Sequence, residues 1–246
     1  ISAVGLNFSA VNSGLTNITM YDDGLHGDGA AGDGTYGATG ITAPATATAQ
    51  TYNALTVRAT DTSGSSGSSN GTLTVTDVPP TVSNVTFTPN SIPNDGTTVT
   101  KVTALIADVN GLSTISAVGL NLSAVNSGLT NITMYDDGLH GDGAAGDGTY
   151  GATGITAPAT ATAQTYNALT VRATDTSGSS GSSNGTLTVT DVPPTVSNVT
   201  FTPNSIPNDG TTVTKVTALI ADVNGLSTIS AVGLNFSAVN SGLTNI

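Results

Sequence analysis

Apolar and polar residues alternate along several short stretches of the chain, in which Thr, Val and Leu are frequent. The segments 166–173 and 187–189 show this alternation, which is typical of a strand with one face on a core and one face in water. Thr, Val and Ile also favour the pleated surface of a strand. The pattern predicts seven strands within one stretch of about 110 residues: Val82–Thr88, Thr97–Asp108, Ile115–Val125, Leu129–Tyr135, Tyr150–Thr156, Thr165–Thr174 and Thr186–Thr190.

Turn-forming residues separate these predicted strands. They occur at Pro93–Gly96, at Asn110-Gly111, at Asp137-Gly138, and in the Ser/Gly run from Thr176 to Ser183 that ends in Asn184-Gly185. Gly, Asn, Asp and Pro dominate tight turns because of their backbone preferences. Short strands joined by such turns predict an all-β fold, a two-sheet antiparallel sandwich of the immunoglobulin-like kind with about seven strands per domain.

The sequence repeats itself with a period of 114 residues. Ile1–Leu6 returns at Ile115–Leu120 and at Ile229–Leu234, and the one difference between copies is Phe8, which is Leu122 in the second copy and Phe236 in the third. A period of this length matches one ordinary domain and not one unit of a solenoid.

Pairs of consecutive prolines predict the domain boundaries. Pro79-Pro80 and Pro193-Pro194 are the only such pairs, and Pro combined with a break in the strand pattern marks a linker. We therefore expect the later part of one repeat in residues 1–78, a complete repeat in residues 79–192, and the first part of the next in residues 193–246. This phase predicts either a segment of a longer array or a chain whose strands are completed by a neighbouring copy.

The composition excludes several classes of partner. All 16 acidic residues are Asp, there are only 4 basic residues, and the net charge is −12. Nucleic acids and anionic membrane surfaces both require clustered Lys and Arg, so neither is an expected partner. No apolar run is long enough for membrane insertion of this segment. With no Cys, the fold can have neither disulfides nor a thiolate metal site.

Half of the acids in each repeat lie in one Gly-rich segment. This acidic loop comprises residues 136–148 and its copy at residues 22–34. Carboxylates close together, with carbonyls freed by Gly, suit the 6–8 oxygen ligands of Ca²⁺, and turn chemistry alone is the alternative. His26 and His140, inside the loops, are expected to form loop hydrogen bonds and not to ligate zinc. The predicted Ca²⁺ ligands are Asp22, Asp23, Asp28, Asp33, Asp136, Asp137, Asp142 and Asp147.

Four motifs give the repeat a wider resemblance. They are the Pro-Pro-Thr-Val opening, Ala107–Gly111, the segment from Met134 to Tyr150, and Val171–Asp175. The repeat resembles the Ig-like and cadherin-like domains found in tandem in large bacterial and archaeal cell-surface proteins. The resemblance implies an extracellular location, and it implies that acidic loops of this kind are often calcium sites.

The function expected from these observations is structural. We expect a repeat unit of an extracellular filament, stalk or adhesin shaft whose partners are neighbouring copies of the repeat. The alternative is a calcium-dependent adhesion module that binds carbohydrate or a protein receptor at the cell surface. No enzyme motif frames the Ser, His and Asp residues, so no catalytic site is predicted. Asn-x-Ser/Thr sequences are candidate glycan sites if the protein is secreted: they begin at Asn7, Asn17, Asn70, Asn84, Asn121, Asn131, Asn184, Asn198 and Asn235.

Overall fold

The computed structural model describes residues 1–243, so the last three residues of the third predicted domain lie outside the described part. The chain divides into two compact units. The first comprises Ile1–Thr81, Ala107–Ser116 and Ala173–Gly181, and the second comprises Val82–Ile106, Ala117–Arg172 and the residues from Ser182 onwards. Within residues 1–243 the regular elements are β-strands and two single 3₁₀ turns, Leu112–Thr114 and Leu226–Thr228. No helix of the described chain is long and apolar enough to cross a membrane.

The first unit contains one four-stranded sheet. Its strands are β1 (Ala3–Leu6), β2 (Ile18–Thr19), β3 (Gln50–Thr60) and β4 (Ser66–Val75). They are ordered β2-β1-β3-β4, and every neighbouring pair is antiparallel. Phe8, Val11 and Leu55 form a small buried cluster against this sheet.

Ten strands follow, and they form three sheets in which most residues belong to the second unit. The strands are β5 (Thr81–Thr88), β6 (Ser91–Pro93), β7 (Val99–Ala107), β8 (Ile115–Leu120), β9 (Ile132–Thr133), β10 (Thr149–Thr156), β11 (Gln164–Asp175), β12 (Ser180–Thr190), β13 (Thr195–Thr202) and β14 (Lys215–Ala221). One sheet has the order β10-β7-β5, a second has the order β6-β12-β11-β8-β9, and β13 pairs with β14 alone.

The core of the central repeat lies between its three-stranded and five-stranded sheets. Along β7 the buried residues alternate with more accessible ones, so Val102, Ala104 and Ile106 face inward. Leu169 on β11 and Leu187 on β12 are buried on the five-stranded sheet and contribute to the same core. The two sheets meet where Gly185 of β12 lies against Phe87 of β5. The predicted fold class is confirmed: the repeat is an all-β sandwich.

The predicted strands are found near their predicted positions, with four differences, the first being that the predicted strand Leu129–Tyr135 is a strand only at Ile132–Thr133. Asn184-Gly185 was expected to form a turn but lies inside β12, because the missing side chain at position 185 leaves room for Phe87. The segment 121–125 is a turn, so β8 ends at Leu120. The short strand β6 was not predicted; it pairs in parallel with the end of β12.

The turn between β11 and β12 is tighter than the Ser/Gly run indicated. It is held by Asp175, whose Oδ1 accepts the backbone N–H groups of Ser177 and Ser179, each at 2.9 Å. Gly178 has a φ of 90°, which favours Gly over any residue with a side chain. Ser180 therefore already belongs to the strand.

Identical sequences take different structures in different copies of the repeat. Thr149–Thr156 forms β10 against β7, whereas the same eight residues at 35–42 are not a strand in the described chain. Likewise, Leu187 is 0% exposed and its copy Leu73 is 40% exposed. The central repeat thus contains both sheets, and residues 1–78 contain one. The boundaries at 78/79 and 192/193 fall in the connections β4–β5 and β12–β13, and the three domain ranges stay predictions.

Gly185 offers a matched test of the sandwich packing. A Cβ atom at this position would lie 2.6 Å from Val85 Cγ1 and 2.9 Å from Phe87 Cε2, whereas at Gly71, the same position in the first copy, the nearest atom is 3.8 Å away. Because overpacking a core costs about 1–3 kcal/mol, Gly185→Ala should lower the urea midpoint of unfolding. Gly71→Ala should leave it nearly unchanged, and equal losses in both variants would contradict the packing described.

Candidate functional site: the acidic loop

The acidic loop of the central repeat, residues 136–148, connects β9 to β10. Tyr135, just before the loop, and Gly151, just after it, exchange two backbone hydrogen bonds of 2.9 and 2.7 Å. These bonds close the base of the loop as in a hairpin. The loop therefore leaves and re-enters the sheet at neighbouring points.

Asp142 is the centre of the first half of the loop. Its side chain is buried, and Oδ2 accepts the backbone N–H groups of Asp137 at 2.8 Å and Gly138 at 2.9 Å. Oδ1 accepts the N–H group of His140 at 3.0 Å. One carboxylate thus satisfies three backbone donors that would otherwise lack partners in an irregular segment.

Asp136 joins the beginning of the loop to its end. Its Oδ1 accepts the N–H group of Gly146 at 2.7 Å, and its Oδ2 accepts the N–H group of Gly148 at 2.9 Å. Asp147 caps the last turn, where its two oxygens accept N–H groups of Ala144 at 3.2 Å and Thr149 at 2.8 Å. These bonds cross-link residues that are up to twelve positions apart.

Asp137 and His140 form a pair on the surface of the loop. The distance from His140 Nδ1 to Asp137 Oδ1 is 2.9 Å, and because a carboxylate only accepts, the ring nitrogen is the donor. The His140 ring stacks on Tyr135 with 4.5 Å between ring centroids. The expected role of His140 as a hydrogen-bond donor within the loop is confirmed.

Hydrogen bonds lower the pKa of three carboxylates of this loop, Asp137, Asp142 and Asp147. Donors to a carboxylate favour its charged form. The N–H group of Gly138 is the largest influence lowering the pKa of Asp142, and the pKa of Asp147 is lowered mainly by the N–H group of Thr149. The hydrogen bond from His140 is the main cause that lowers the pKa of Asp137.

Two contacts attach the loop to the sheet. Gly151 on β10 lies directly under the loop, and a Cβ atom there would come within 2.5 Å of the His140 carbonyl oxygen. Lys101 Nζ, from β7, donates to the carbonyl oxygen of Gly141 at 3.2 Å. The loop is therefore placed by the two neighbouring strands β7 and β10.

The copy of the loop at residues 22–34 repeats the same bonds. Asp28 accepts the N–H groups of Asp23, Gly24 and His26 at 2.6, 2.9 and 3.0 Å. Asp22 accepts those of Gly32 and Gly34, and Asp33 those of Ala30 and Thr35. Since residues 1–78 lack the sequence of β7, the loop keeps its internal structure without that strand.

The eight predicted calcium ligands lie four in each acidic loop. Within each loop the carboxylates face different sets of backbone donors. Across residues 1–243, no three His, Cys, Asp or Glu side chains are arranged as a metal site. A carboxylate has about four lone-pair positions, so an N–H bond does not use up its capacity. Calcium binding stays a prediction.

Two residues that support the loop, Tyr135 and Lys101, were not among the predicted site residues. Tyr135 precedes the two Asp residues in both copies, and this regular position was the available signal for its role. Lys101 lies about forty residues away in sequence from Gly141, and no local pattern links them. Their contact depends on the pairing of β7 with β10.

Comparisons with known proteins give weak similarities. No protein-family model and no curated protein matches the chain. Fibronectin(III)-like modules of Clostridium thermocellum CbhA are similar at 19% identity with a TM-score of 0.31, over 78% of this chain and 79% of theirs. A tetra-tandem repeat from the extending region of a large adhesion protein is similar at 22% identity with a TM-score of 0.32, over 89% of this chain and 54% of that one. Similarity at this level does not transfer a function.

The lowered pKa values predict acid sensitivity. A carboxyl group whose folded pKa lies below its unfolded value stabilises the fold above the unfolded value, about 3.9 for Asp, and this stability is lost as pH falls through the folded value. Asp95, bonded by the hydroxyl and N–H groups of Thr98, has a pKa of about 2. We expect the thermal midpoint to be constant above about pH 5 and to fall between about pH 4 and 2.

Asp142→Asn tests the part of this effect that belongs to the loop. The variant should have a lower midpoint at neutral pH and a shallower fall below pH 4, measured by circular dichroism. Asp191→Asn removes the same charge at an exposed position and should follow the parent chain. A curve for Asp142→Asn that is parallel to the parent curve would show that Asp142 contributes nothing to acid sensitivity.

Proposed function

We propose that the chain is a structural part of an extracellular filament, stalk or adhesin shaft, built of tandem β-sandwich repeats. The observation that carries this proposal is the near-identity of the 114-residue copies, which differ at one position. Repetition without divergence suits a part whose length matters, because stacked units contact mainly their neighbours and each copy adds the same increment.

Local stabilisation within each repeat supports the same proposal. An exposed array without cysteine has to be held by hydrogen bonds, packing and bound ions. The acidic loops tie their own backbone through Asp136, Asp142 and Asp147. Every complete repeat would carry its own cross-links, so the stability of the array would not depend on its ends.

We propose in addition that the acidic loop of each repeat binds calcium. The support for calcium binding is the four carboxylates in each loop and the resemblance of the repeat to surface-protein domains. Lone pairs that do not accept N–H groups are available to an ion. Calcium would neutralise these carboxylates and stiffen a loop that is already ordered by hydrogen bonds.

Completion of a half-repeat by another copy is a second part of the proposal. Val216 on β14 is 37% exposed, whereas its copy Val102 on β7 is 0% exposed beneath the facing sheet. Residues 1–78 of a second chain contain the sequence of that facing sheet, from β1 to β4. We propose that a neighbouring copy of the repeat covers β13 and β14 in the way that β11 and β12 cover β7.

A length series tests the structural proposal. Chains with two, three and four complete repeats should show a maximum dimension, measured by small-angle X-ray scattering, that grows by a constant increment per repeat. A dimension that does not grow would contradict a shaft. Light scattering on the present chain should give a mass that rises with concentration, and a constant mass of 24.0 kDa would overturn only the completion by a second copy.

The same samples, measured with calcium and with a chelator, test the ion. A ligand that binds only the folded state raises the thermal midpoint. A thermal midpoint that does not change after chelation would contradict calcium binding, and it would not contradict the structural role of the repeats.

A calcium-dependent adhesion module is the second candidate. The observation in its favour is Leu139, which is 82% exposed in the acidic loop, with its copy Leu25 81% exposed at the same position. Apolar side chains repeated on exposed loops would give a multivalent contact. A glycan array and a host-cell binding assay, with and without chelator, should show binding that Leu25→Ser with Leu139→Ser removes; no binding in either assay would reject this candidate.

A further inference from the structure

One contact is formed twice, each time between consecutive predicted repeats. Nδ2 of Asn110 donates to the carbonyl oxygen of Ala45 at 2.7 Å. Nδ2 of Asn224 donates to the carbonyl oxygen of Ala159 at 2.9 Å. Asn110 and Asn224 are the same position in two copies, and so are Ala45 and Ala159. Each contact lies within one compact unit.

The accepting carbonyls lie on a small, well-defined turn. In the first copy the N–H group of Ala47 donates to the carbonyl oxygen of Pro44, and in the second copy Ala161 donates to Pro158, each at 2.8 Å. The carbonyl oxygen of the residue that follows each proline, Ala45 or Ala159, accepts a hydrogen bond from outside the turn. In the central repeat, Asn94 holds the same turn, because its Nδ2 donates to the carbonyl oxygen of Ala161 at 3.0 Å.

The donating Asn is held just as firmly. Asp108 precedes it and accepts its backbone N–H group at 2.8 Å. The Thr114 hydroxyl lies 3.1 Å from the other oxygen of Asp108 and 2.6 Å from the carbonyl oxygen of Gly111, so its one hydrogen is shared between these two acceptors. The same pair of bonds, at 2.8 and 3.0 Å, surrounds Asn224 through Asp222 and Thr228. These bonds hold the backbone of the turn that carries the Asn side chain.

At the second contact the amide donates twice. Asn224 Nδ2 also lies 3.3 Å from the carbonyl oxygen of Asn94, so both hydrogens of its NH₂ group have acceptors. The Oδ1 atoms of Asn110 and Asn224 are buried and accept no hydrogen bond within residues 1–243. A buried amide without full pairing costs free energy, and both copies nevertheless keep it at this position.

A further bond supports the first contact. The Ser177 hydroxyl, in the β11–β12 turn, lies 2.8 Å from Asp77 Oδ2 and 2.6 Å from Asp175 Oδ1, so its one hydrogen is shared between these two carboxylates. Asp77 lies in the short connection that precedes Pro79-Pro80. Two separate loops of the central repeat, at Asn110 and at Ser177, thus bind residues of the first predicted repeat.

We propose that Asn110 and Asn224 are latches that lock each repeat onto the repeat before it. The partner of this surface is a second copy of the same repeat, recognised through the carbonyl oxygen of the turn at Ala45 or Ala159. Domains joined only by a linker move relative to each other by default. The latch converts the Pro-Pro connection into a fixed joint. This inference rests on the proposed function, since a shaft requires such joints.

The absence of cysteine allows a direct test by double spin labelling. Ser68→Cys and Thr176→Cys place one label on an exposed position of each of two consecutive copies, and both positions lie within the first compact unit, which contains the Asn110 contact. Electron–electron double resonance should give a narrow distance distribution in the labelled parent chain. Asn110→Asp, which introduces an unpaired charge at a buried oxygen, and Asn110→Ala should both lose the narrow peak.

Asn167→Asp is the matched control, because it makes the same change at an exposed position within a repeat and should keep the peak. Circular dichroism should show the same strand signal in all variants. A broad distribution in the parent, or a narrow peak that survives in Asn110→Ala, would overturn the latch. The length series does not use these labels, so it tests the shaft separately. If the maximum dimension grows linearly with repeat number but Asn110→Ala keeps the narrow peak, only the latch is rejected. If Asn110→Ala loses the peak but the maximum dimension does not grow linearly, only the shaft is rejected.

Discussion

A strand of this repeat forms only where its pairing partner is present, and the rest of the structure depends on this constraint. Thr149–Thr156 becomes β10 because β7 lies beside it, and the identical residues 35–42 do not form a strand where β7 has no counterpart. The backbone donors and acceptors of an extended segment need partners. Strand pairing in turn determines which faces are covered, and it brings Lys101 under the acidic loop. Intrinsic preference for extended structure is not sufficient here.

Much of the fold could be predicted from the periodicity of the sequence. The predictions that were wrong concern segments whose structure depends on packing or pairing with distant residues. The alternation along β11 and β12 and the 114-residue period concern neighbouring or repeated positions, which a sequence displays directly. Asn184-Gly185 has the local preference of a turn, yet packing overrides it: Asn184 accepts the Thr170 hydroxyl at 2.8 Å, and Gly185 accommodates Phe87. β6 is three residues long and ends in Pro, so its strand character comes from β12 alone.

The acidic loop was identified by composition, but the partners of its carboxylates were not. Asp136 reaches Gly148 across the whole loop, and no spacing rule predicts such a bond. The carboxylates were expected to bind an ion because several carboxylates close together suit the oxygen ligands of Ca²⁺. Backbone N–H groups compensate part of the negative charge of these carboxylates. The partial positive charges of the N–H groups directed at Asp142 favour its ionised form. Charge clustering alone therefore could not distinguish an ion site from a hydrogen-bonded loop, since both demand the same residues.

Near-identical repeats create a problem of partner choice during folding. The strand β12 could pair equally well with β11 or with β3, which has the same sequence 114 positions earlier, and exchanged strands are a characteristic failure of repeat proteins. The Asp175 turn resolves the choice, because the entropic cost of closing a loop rises with its length. A hairpin closed over a few residues forms within about 10 μs, and pairing β12 with β3 would close a much longer loop at a greater entropic cost. The hydrogen-bonded turn at Asp175 thus favours pairing of β12 with β11 of the same repeat, although the copies have nearly the same sequence.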